Sequence, residues 1–305
     1  MVLSIGEILV DIFIDGEHKT VYPGGAPFNL ACNIKKFKGD VYFYGAVGQD
    51  DYGHFLSKTI LEKLDKFKLD ELEKYETTQA LVTIENGERS FRFVRSHGAD
   101  YHLDVTRLKE FDYSKIKIVH IGSLMLSEKE GRDFYNSAIK ELKSKNVLIS
   151  FDVNYRDDIF DSEEQAKEIF LSALKQADII KFTEEELELL SGQKDIKLGL
   201  KALLNDKQVA VVTLGSKGSI FYSKDKFIQI PTFPLKPVDT TGAGDAFYSY
   251  FLYSLDKGLD TSRDEEIKKV LTYANIVGGL TTQKIGAIDS APTLEEIEDF
   301  YQNHR

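Results

Sequence analysis

The residues in this 305-residue chain best placed to do chemistry are Asp239-Thr240-Thr241-Gly242-Ala243-Gly244-Asp245. Two glycines around an alanine let the backbone approach a ligand closely. The run Ala246-Phe247-Tyr248-Ser249-Tyr250-Phe251-Leu252 behind them reads as a buried helix. A glycine turn opening a helix leaves several N–H groups unpaired and aimed at one point, where the helix dipole also favours negative charge. The turn is therefore a candidate anion site. A carboxylate there, Asp245, repels a phosphate unless it has another task. Taking the proton of an attacking hydroxyl during phosphoryl transfer is one such task, and capping the helix is the plain alternative.

A second cluster lies near the N-terminus. Asp11 closes an apolar run, and Gly24-Gly25-Ala26-Pro27-Phe28-Asn29 opens the helix-like run Leu30-Ala31-Cys32-Asn33-Ile34. Asp11, Gly25 and Asn29 combine an acceptor, a bifunctional amide and bare backbone, which suits a polyol. They are also ordinary turn residues. Phe91, Phe93 and Arg95 share one strand face by the period of two. That face could cover a ligand and offer it a forked donor, or be a hydrophobic sheet face with a solvated arginine at its edge.

Composition narrows the function classes. The formal net charge is −11 and no basic run occurs, which argues against a nucleic-acid or anionic-membrane partner. A phosphate held by backbone N–H groups needs no basic patch. Cys32 is the single cysteine, so no intramolecular disulfide or cysteine-based zinc cluster forms, and the thiol is expected to pack as a small hydrophobe. No apolar stretch reaches spanning length, and Glu7 and Asp11 interrupt the N-terminal run, so a cytoplasmic protein is expected. No Walker A pattern is present, and the first strand lacks a dinucleotide-binding glycine fingerprint.

These groups need elements to hold them. Val2 to Val10 reads as a buried opening strand, and Ile12 to Tyr22 as a hairpin about Asp15-Gly16. Val41–Gly48 is a strand, followed by a helix to about Lys66. Ala80 to Arg95 is a second hairpin about Asn86-Gly87. From residue 100 onward strands and helices alternate: strands at 116–121, 147–153, 179–182, 209–214, 218–222 and 226–230, helices at 128–144, 162–175 and 263–282, and a polar helix at the end. Thr183-Glu184-Glu185-Glu186 looks like a capped helix start. The expected fold is α/β, a doubly wound, mostly parallel sheet with ligands outside the strands' carboxyl ends. The hairpins do not fit a βαβ repeat and read as a small inserted β-sheet lid (12–23 and 79–99) on a main domain of 1–11, 24–78 and 100–305.

With these residues in place, the chain resembles the PfkB (ribokinase-like) carbohydrate kinase family over nearly its whole length. One signature is Gly24-Gly25-Ala26-Pro27-Phe28-Asn29-Leu30-Ala31, with Gly45-Ala46-Val47-Gly48-Gln49-Asp50-Asp51-Tyr52-Gly53 after it. The other is Asp239 to Phe247. The resemblance implies a kinase using ATP and Mg²⁺, with Asp245 as the base and the amides of Gly242, Ala243 and Gly244 as the anion hole. Asp11, Gly24, Gly25, Asn29, Phe91, Phe93, Arg95 and Arg156 are then sugar contacts. Lys181, Thr213, Gly215, Gly218 and Asn275 belong with the nucleotide, Lys181 standing where the family motif has asparagine. Glu184 would organise Mg²⁺ through water. Asp239, Thr241, Thr281, Lys284, Gly286 and Ser290 match a monovalent-cation (K⁺) site, and a homodimer through the lid is expected. Tyr250 departs from a commonly glycine position.

Within the family, the Gly87 to Phe91 hairpin, Ala99-Asp100 and Phe151 to Arg156 are most similar to fructokinases, which implies transfer to the 6-hydroxyl of fructose. Kinases of 2-keto-3-deoxygluconate share much of this and use arginines like Arg95 and Arg156 for a carboxylate. A non-catalytic sugar-binding regulator on the same fold is the rival of another class.

Overall fold

Apolar runs become strands in the computed structural model of the chain, which describes residues 1–15, 18–85 and 88–304. In order the strands are β1 (Val2–Ile5), β2 (Leu9–Asp15), β3 (His18–Gly24), β4 (Val41–Gly48), β5 (Phe67–Leu72), β6 (Gln79–Glu85), β7 (Glu88–Val94), β8 (Ile118–Ile121), β9 (Leu148–Asp152), β10 (Ile179–Thr183), β11 (Val209–Thr213), β12 (Ser219–Ser223) and β13 (Lys226–Ile230). The helices are α1 (Ala26–Lys36), α2 (Asp51–Lys63), α3 (Lys129–Leu142), α4 (Glu163–Leu174), α5 (Glu184–Ser191), α6 (Ile196–Leu203), α7 (Ala243–Asp256), α8 (Asp264–Thr281) and α9 (Leu294–Asn303). The hairpin tips expected at Asp15-Gly16 and Asn86-Gly87, and the side chain of Phe91, lie outside the described residues.

Nine strands form one sheet in the order β13-β12-β11-β10-β9-β8-β1-β4-β5. Pairing is parallel from β11 through β5, and antiparallel where β12 and β13 close one edge. Strands such as β1 and β8 are buried throughout because helices cover both faces, so they read as unbroken apolar runs. On one face Leu3, Ile5, Val119, Phe151 and Phe182 pack with Phe134 of α3 and Phe170 of α4. On the other, Val2, Ile118, Ile179 and Val211 meet Phe28 of α1 and Phe247, Phe251 and Leu271 of α7 and α8. This is the doubly wound arrangement expected from the alternation. The hairpins form a separate four-stranded sheet, β3-β2-β6-β7.

Three local readings change. The opening run is two strands in two sheets, because Gly6 at φ 147° turns the chain between them. Gly6 followed by Glu7 is the mark of that turn, set within an otherwise apolar run. The helix after Gly48 ends at Lys63, and β5 follows as an edge strand paired with β4. Its mixture of Phe67, Leu69, Lys68, Asp70 and Glu71 is what a half-buried edge uses to resist further pairing. A short helix, α6, is started by Asp195, whose carboxylate accepts from the Leu198 N–H at 2.8 Å.

The side of the sheet under α7 is the one that must hold the site. Phe251 is fully buried there, with ring centroids 6.3 Å from Phe221 and 6.4 Å from Tyr248. Phe251→Ala should cost about 3–5 kcal/mol. Urea unfolding should show it as a lower midpoint with little change in slope.

Candidate active site

Two helices begin at the same end of the sheet, each from a residue that must be glycine. Gly25 precedes α1 at φ 105°, where a Cβ would stand 2.4 Å from the Glu7 carbonyl oxygen. Gly242 precedes α7 at φ 75°, where a Cβ would stand 2.4 Å from the Ala287 Cβ. Both starts are therefore left-handed or unusual backbone pressed against a neighbour, which only glycine allows. In the first turn of each helix sits one polar side chain. Asn29 Nδ2 donates to Asp245 Oδ2 at 2.8 Å, joining residues 216 apart.

Between these helix starts lies a cavity of about 290 Å³. Glu7, Leu9 and Asp11 line it at alternate positions of one extended segment. Ala80 and Phe93 come from the small sheet, and Asn154, Arg156, Lys181, Thr183 and Glu186 from the ends of β9 and β10. Thr240, Thr241, Gly242, Gly244 and Asp245 complete the wall. Burial raises the Asp11 carboxyl to about 7, helped by the Asp245 charge and opposed by Arg156. Burial also raises Asp245, while the Asn29 hydrogen bond favours its ionised form; Asp152 works against that form, and Lys181 and Arg156 support it. The cavity thus offers hydroxyl-binding groups, a carboxylate tuned toward accepting a proton, and an open helix N-terminus beside it. That combination suits transfer of an anionic group to a polyol.

The sequence pattern described as "pfkB family carbohydrate kinase" matches residues 1–294. This chain belongs to the pfkB family of carbohydrate kinases. It is 36% identical to "Probable fructokinase-5" of Arabidopsis thaliana, covering 96% of this chain and 94% of that relative. It is 35% identical to "Fructokinase-2" of Oryza sativa subsp. japonica, over 96% and 91% of the two chains. Among solved structures, the fructokinase of Vibrio cholerae O395 with fructose, ADP and calcium ion bound superposes with a TM-score of 0.89 at 32% identity, covering 98% of each chain. The fructokinase of Xylella fastidiosa with bound ATP superposes with a TM-score of 0.90 at 26% identity, over 99% and 98%.

Several residues expected at a pfkB-family site are gathered in the cavity: Asp11, Gly25, Asn29, Phe93, Arg156, Lys181, Thr241, Gly242, Gly244 and Asp245. Gly24 lies under the Asp11 carboxylate, so close that a Cβ would meet Oδ2 at 2.4 Å. Ala243 starts α7 between the two turn glycines. Thr213 pairs in register with Thr183 at the carboxyl ends of β11 and β10. Gly215 (φ 56°) and Gly218 (φ 100°) shape the turn beyond it, outside the cavity wall. Asn275 donates its amide to the Ile230 and Pro231 carbonyls at 3.2 and 3.3 Å, holding the end of β13.

Two placements differ from expectation. Arg95 does not line the cavity. Its Nη2 donates to Asp100 at 2.6 Å and its Nη1 to the Leu124 carbonyl at 3.1 Å and to Ser127, all in buried surroundings. The ion pair takes the fork that a ligand would need. Glu184 also points away, pairing with Lys217 at 2.8 Å near the surface. The cavity carboxylate is Glu186, two residues on. Its oxygens accept from the Thr183 N–H at 2.7 Å and the Tyr155 N–H at 2.9 Å, and the Thr183 hydroxyl accepts from the Glu186 N–H at 3.1 Å. The helix-start signature pointed to this residue, because a capping box joins the cap to the third residue of the helix. Glu7 was also missed. It is buried and lines the cavity, neither carboxyl oxygen has a hydrogen-bond partner in another residue among the described residues, and burial raises it to about 8. Nothing in its sequence setting sets it apart from a turn residue.

Asp239 organises the loop before α7. Its Oδ1 accepts from the Thr241 N–H and hydroxyl at 3.0 and 2.7 Å, and its Oδ2 from the Gly286 N–H at 3.2 Å; Ser290 donates to the Gly286 carbonyl. Thr281 donates back along α8 to the Val277 carbonyl at 2.8 Å, and Lys284 is exposed. Among the described residues no group of three or more His, Cys, Asp or Glu could hold a metal ion unaided. A divalent ion here would need phosphate oxygens and water, which is how Mg²⁺ is commonly bound. Tyr250 fills the family's usual glycine position by packing edge-on to Phe37 at 5.5 Å and stacking on Tyr273 at 6.1 Å.

The Arg95 placement yields a test. Arg95→Met leaves Asp100 buried without its cation and should cost about 3–5 kcal/mol of stability. Any folded fraction should keep the wild-type KM for sugar, because the guanidinium does not line the cavity. A large rise in sugar KM at unchanged thermal stability would sink this placement.

Proposed function

We propose that this pfkB-family enzyme is an ATP-dependent fructokinase, transferring the terminal phosphoryl group of ATP to the 6-hydroxyl of D-fructose. The observation that carries the proposal is the Asn29–Asp245 hydrogen bond, which puts a half-buried carboxylate at the meeting point of the candidate polyol-binding groups and the glycine turn. Asp11, Asn29 and the backbone at Gly24 and Gly25 would hold sugar hydroxyls, and Phe93 would exclude water. Asp245 takes the proton of the attacking hydroxyl as its oxygen bonds to phosphorus and the bridging oxygen leaves with ADP. The amides of Gly242, Ala243 and Gly244 meet the charge on the transferred group.

Mg²⁺ bound with ATP would neutralise phosphate charge, and Glu186 rather than Glu184 is the carboxylate placed to hold it through water. The loop of Asp239, Thr241, Gly286 and Ser290 is where a monovalent cation would sit behind the turn. Thr213, Gly215 and Gly218 would border the nucleotide. The small sheet, reaching the cavity through Ala80 and Phe93, would act as the lid. A cytoplasmic setting belongs to the same reading. No helix among the described residues is long and apolar enough to cross a membrane, and Cys32 is free and buried.

Fructose is favoured over 2-keto-3-deoxygluconate on two grounds. The relatives at 32–36% identity over nearly the full chain are named as fructokinases, and the Arg95 fork is committed to Asp100, leaving Arg156 as the arginine on the cavity wall among the described residues. A coupled ADP-release assay with both sugars tests the choice; preferential turnover of the keto acid sugar would reverse it.

Two further outcomes are expected. Asp245→Asn should lower kcat by about 10²–10⁴-fold while calorimetric affinity for fructose changes little. Turnover near that of the wild type would remove the base. The base must be ionised, and its pKa is raised, so kcat/KM should be full above that pKa and fall as pH drops through it. The Asn29 hydrogen bond favours the ionised form. Asn29→Leu should therefore move the acid limb of the kcat/KM profile to higher pH, apart from any loss of height. A limb that stays put or moves to lower pH contradicts the assignment.

A further inference from the structure

The cavity holds a second source of positive charge besides the helix start. Lys181 on β10 lies directly across from Asp152 on β9 in the parallel ladder. Its Nζ donates to both Asp152 oxygens at 2.8 Å, and the two side chains are 4% and 5% exposed. Its neighbours in sequence, Ile180 and Phe182, face the opposite side of the sheet, so Lys181 points toward α7. There its Cε and Nζ lie 3.5 Å from the point where a Cβ on Gly244 would stand. The ammonium is thus packed against the glycine that closes the turn, and it lines the cavity.

A buried ion pair is a poor way to stabilise a sheet, since well-packed apolar residues of similar volume commonly do as well or better. On the same face the neighbouring strands bury only neutral groups near it, with Val2, Ser4, Ile118, His120 and Ser150 under the helices. The pair also has spare donor capacity, because an ammonium carries three N–H donors and Asp152 presents two oxygens. Among the described residues no third acceptor is hydrogen-bonded to Nζ.

We propose that Lys181 completes the anion hole as a catalytic residue. Its ammonium, aimed by Asp152, would contact an oxygen of the transferring phosphoryl group alongside the amides of residues 242–244. Asp152 is then a positioning residue. This rests on the kinase reading above and adds to it a cation that the turn alone does not supply. A fixed charge beside the developing one acts without reorganising, which is where such groups have most effect on rate.

The competing explanation is that Lys181 merely neutralises Asp152. The double variant Lys181→Met with Asp152→Asn separates the two, because it removes both charges of the pair together and leaves no unpaired carboxylate at position 152. It should fold with a thermal midpoint close to that of the wild type. Its kcat should fall by about 10²–10³-fold. Its KM for fructose should stay within about threefold of wild type. ADP with fluoroaluminate, a planar mimic of the phosphoryl group, should lose the tightening that it shows on wild type in the presence of fructose. A double variant that turns over within about threefold of wild type, or binds the mimic equally well, overturns the role of Lys181 and leaves the kinase reading standing. Wild-type protein unable to phosphorylate fructose or any other sugar would take down both.

Discussion

A single hydrogen bond, from Asn29 to Asp245, is the constraint on which the rest of the site depends. It can form only if the first turns of α1 and α7 arrive side by side, and helix N-termini do not meet without cause. Each carries a partial positive charge from its unpaired N–H groups, so two together repel unless negative charge lies between them. Asp245 provides some of it, and an incoming phosphoryl group would provide more. The tendency of the two starts to separate is countered behind them, where Phe28 and Leu30 of α1 pack in one apolar cluster with Phe247, Phe251 and Leu252 of α7. Apolar burial holds together an arrangement that favours an anion.

The same electrostatics explains how an acidic chain can receive a polyanion. Glu7, Asp11, Glu186 and Asp245 all face one cavity, and burial raises each of them. A carboxyl raised to about 8, as Glu7 is, stays mostly neutral near neutral pH and adds little repulsion. Against the remainder stand Lys181 and Arg156. Burial works against the Lys181 ammonium, but Asp152 and Glu186 outweigh it and hold its pKa above the usual value. Local positive charge therefore comes from two side chains, one of them paired with Asp152, and two helix starts.

Much of this was legible in the residues themselves. Glycine turns ahead of apolar helical runs announced both helix starts, because backbone of that kind excludes other residues and leaves a visible pattern. The alternation of strands and helices announced the sheet. What escaped was set by contacts between distant segments. Three consecutive glutamates at 184–186 are chemically alike, and which one faces inward depends on where the helix begins. The capping box fixes that start at Thr183, turning Glu186 toward the cavity and Glu184 toward Lys217. Arg95 looked free from its strand periodicity, but Asp100 lies five residues on, after the chain has turned back beside it. Lys181 was expected beside the nucleotide, at a position where the family motif has asparagine; its pairing with Asp152 on the next strand, reached through a helix, was not legible.

The break between β1 and β2 joins the fold to its chemistry. Had the opening run continued as one strand, Glu7, Leu9 and Asp11 would have stayed in the main sheet, covered by helices on both faces. Gly6 instead redirects the chain, so the segment runs along the cavity with every second side chain turned into it, and Asp11 belongs to the small sheet through its pairing with Tyr22 and Ala80. Asp245 belongs to the main body. The distance between Asp11 and Asp245 is therefore a distance between the small sheet and the main body. It is governed by the few residues that connect them: Gly6, whose Cβ would collide with Pro27, and Gly25, whose Cβ would collide with the Glu7 carbonyl. Glycine at these two positions brings the second sheet close enough for both carboxylates to line one cavity.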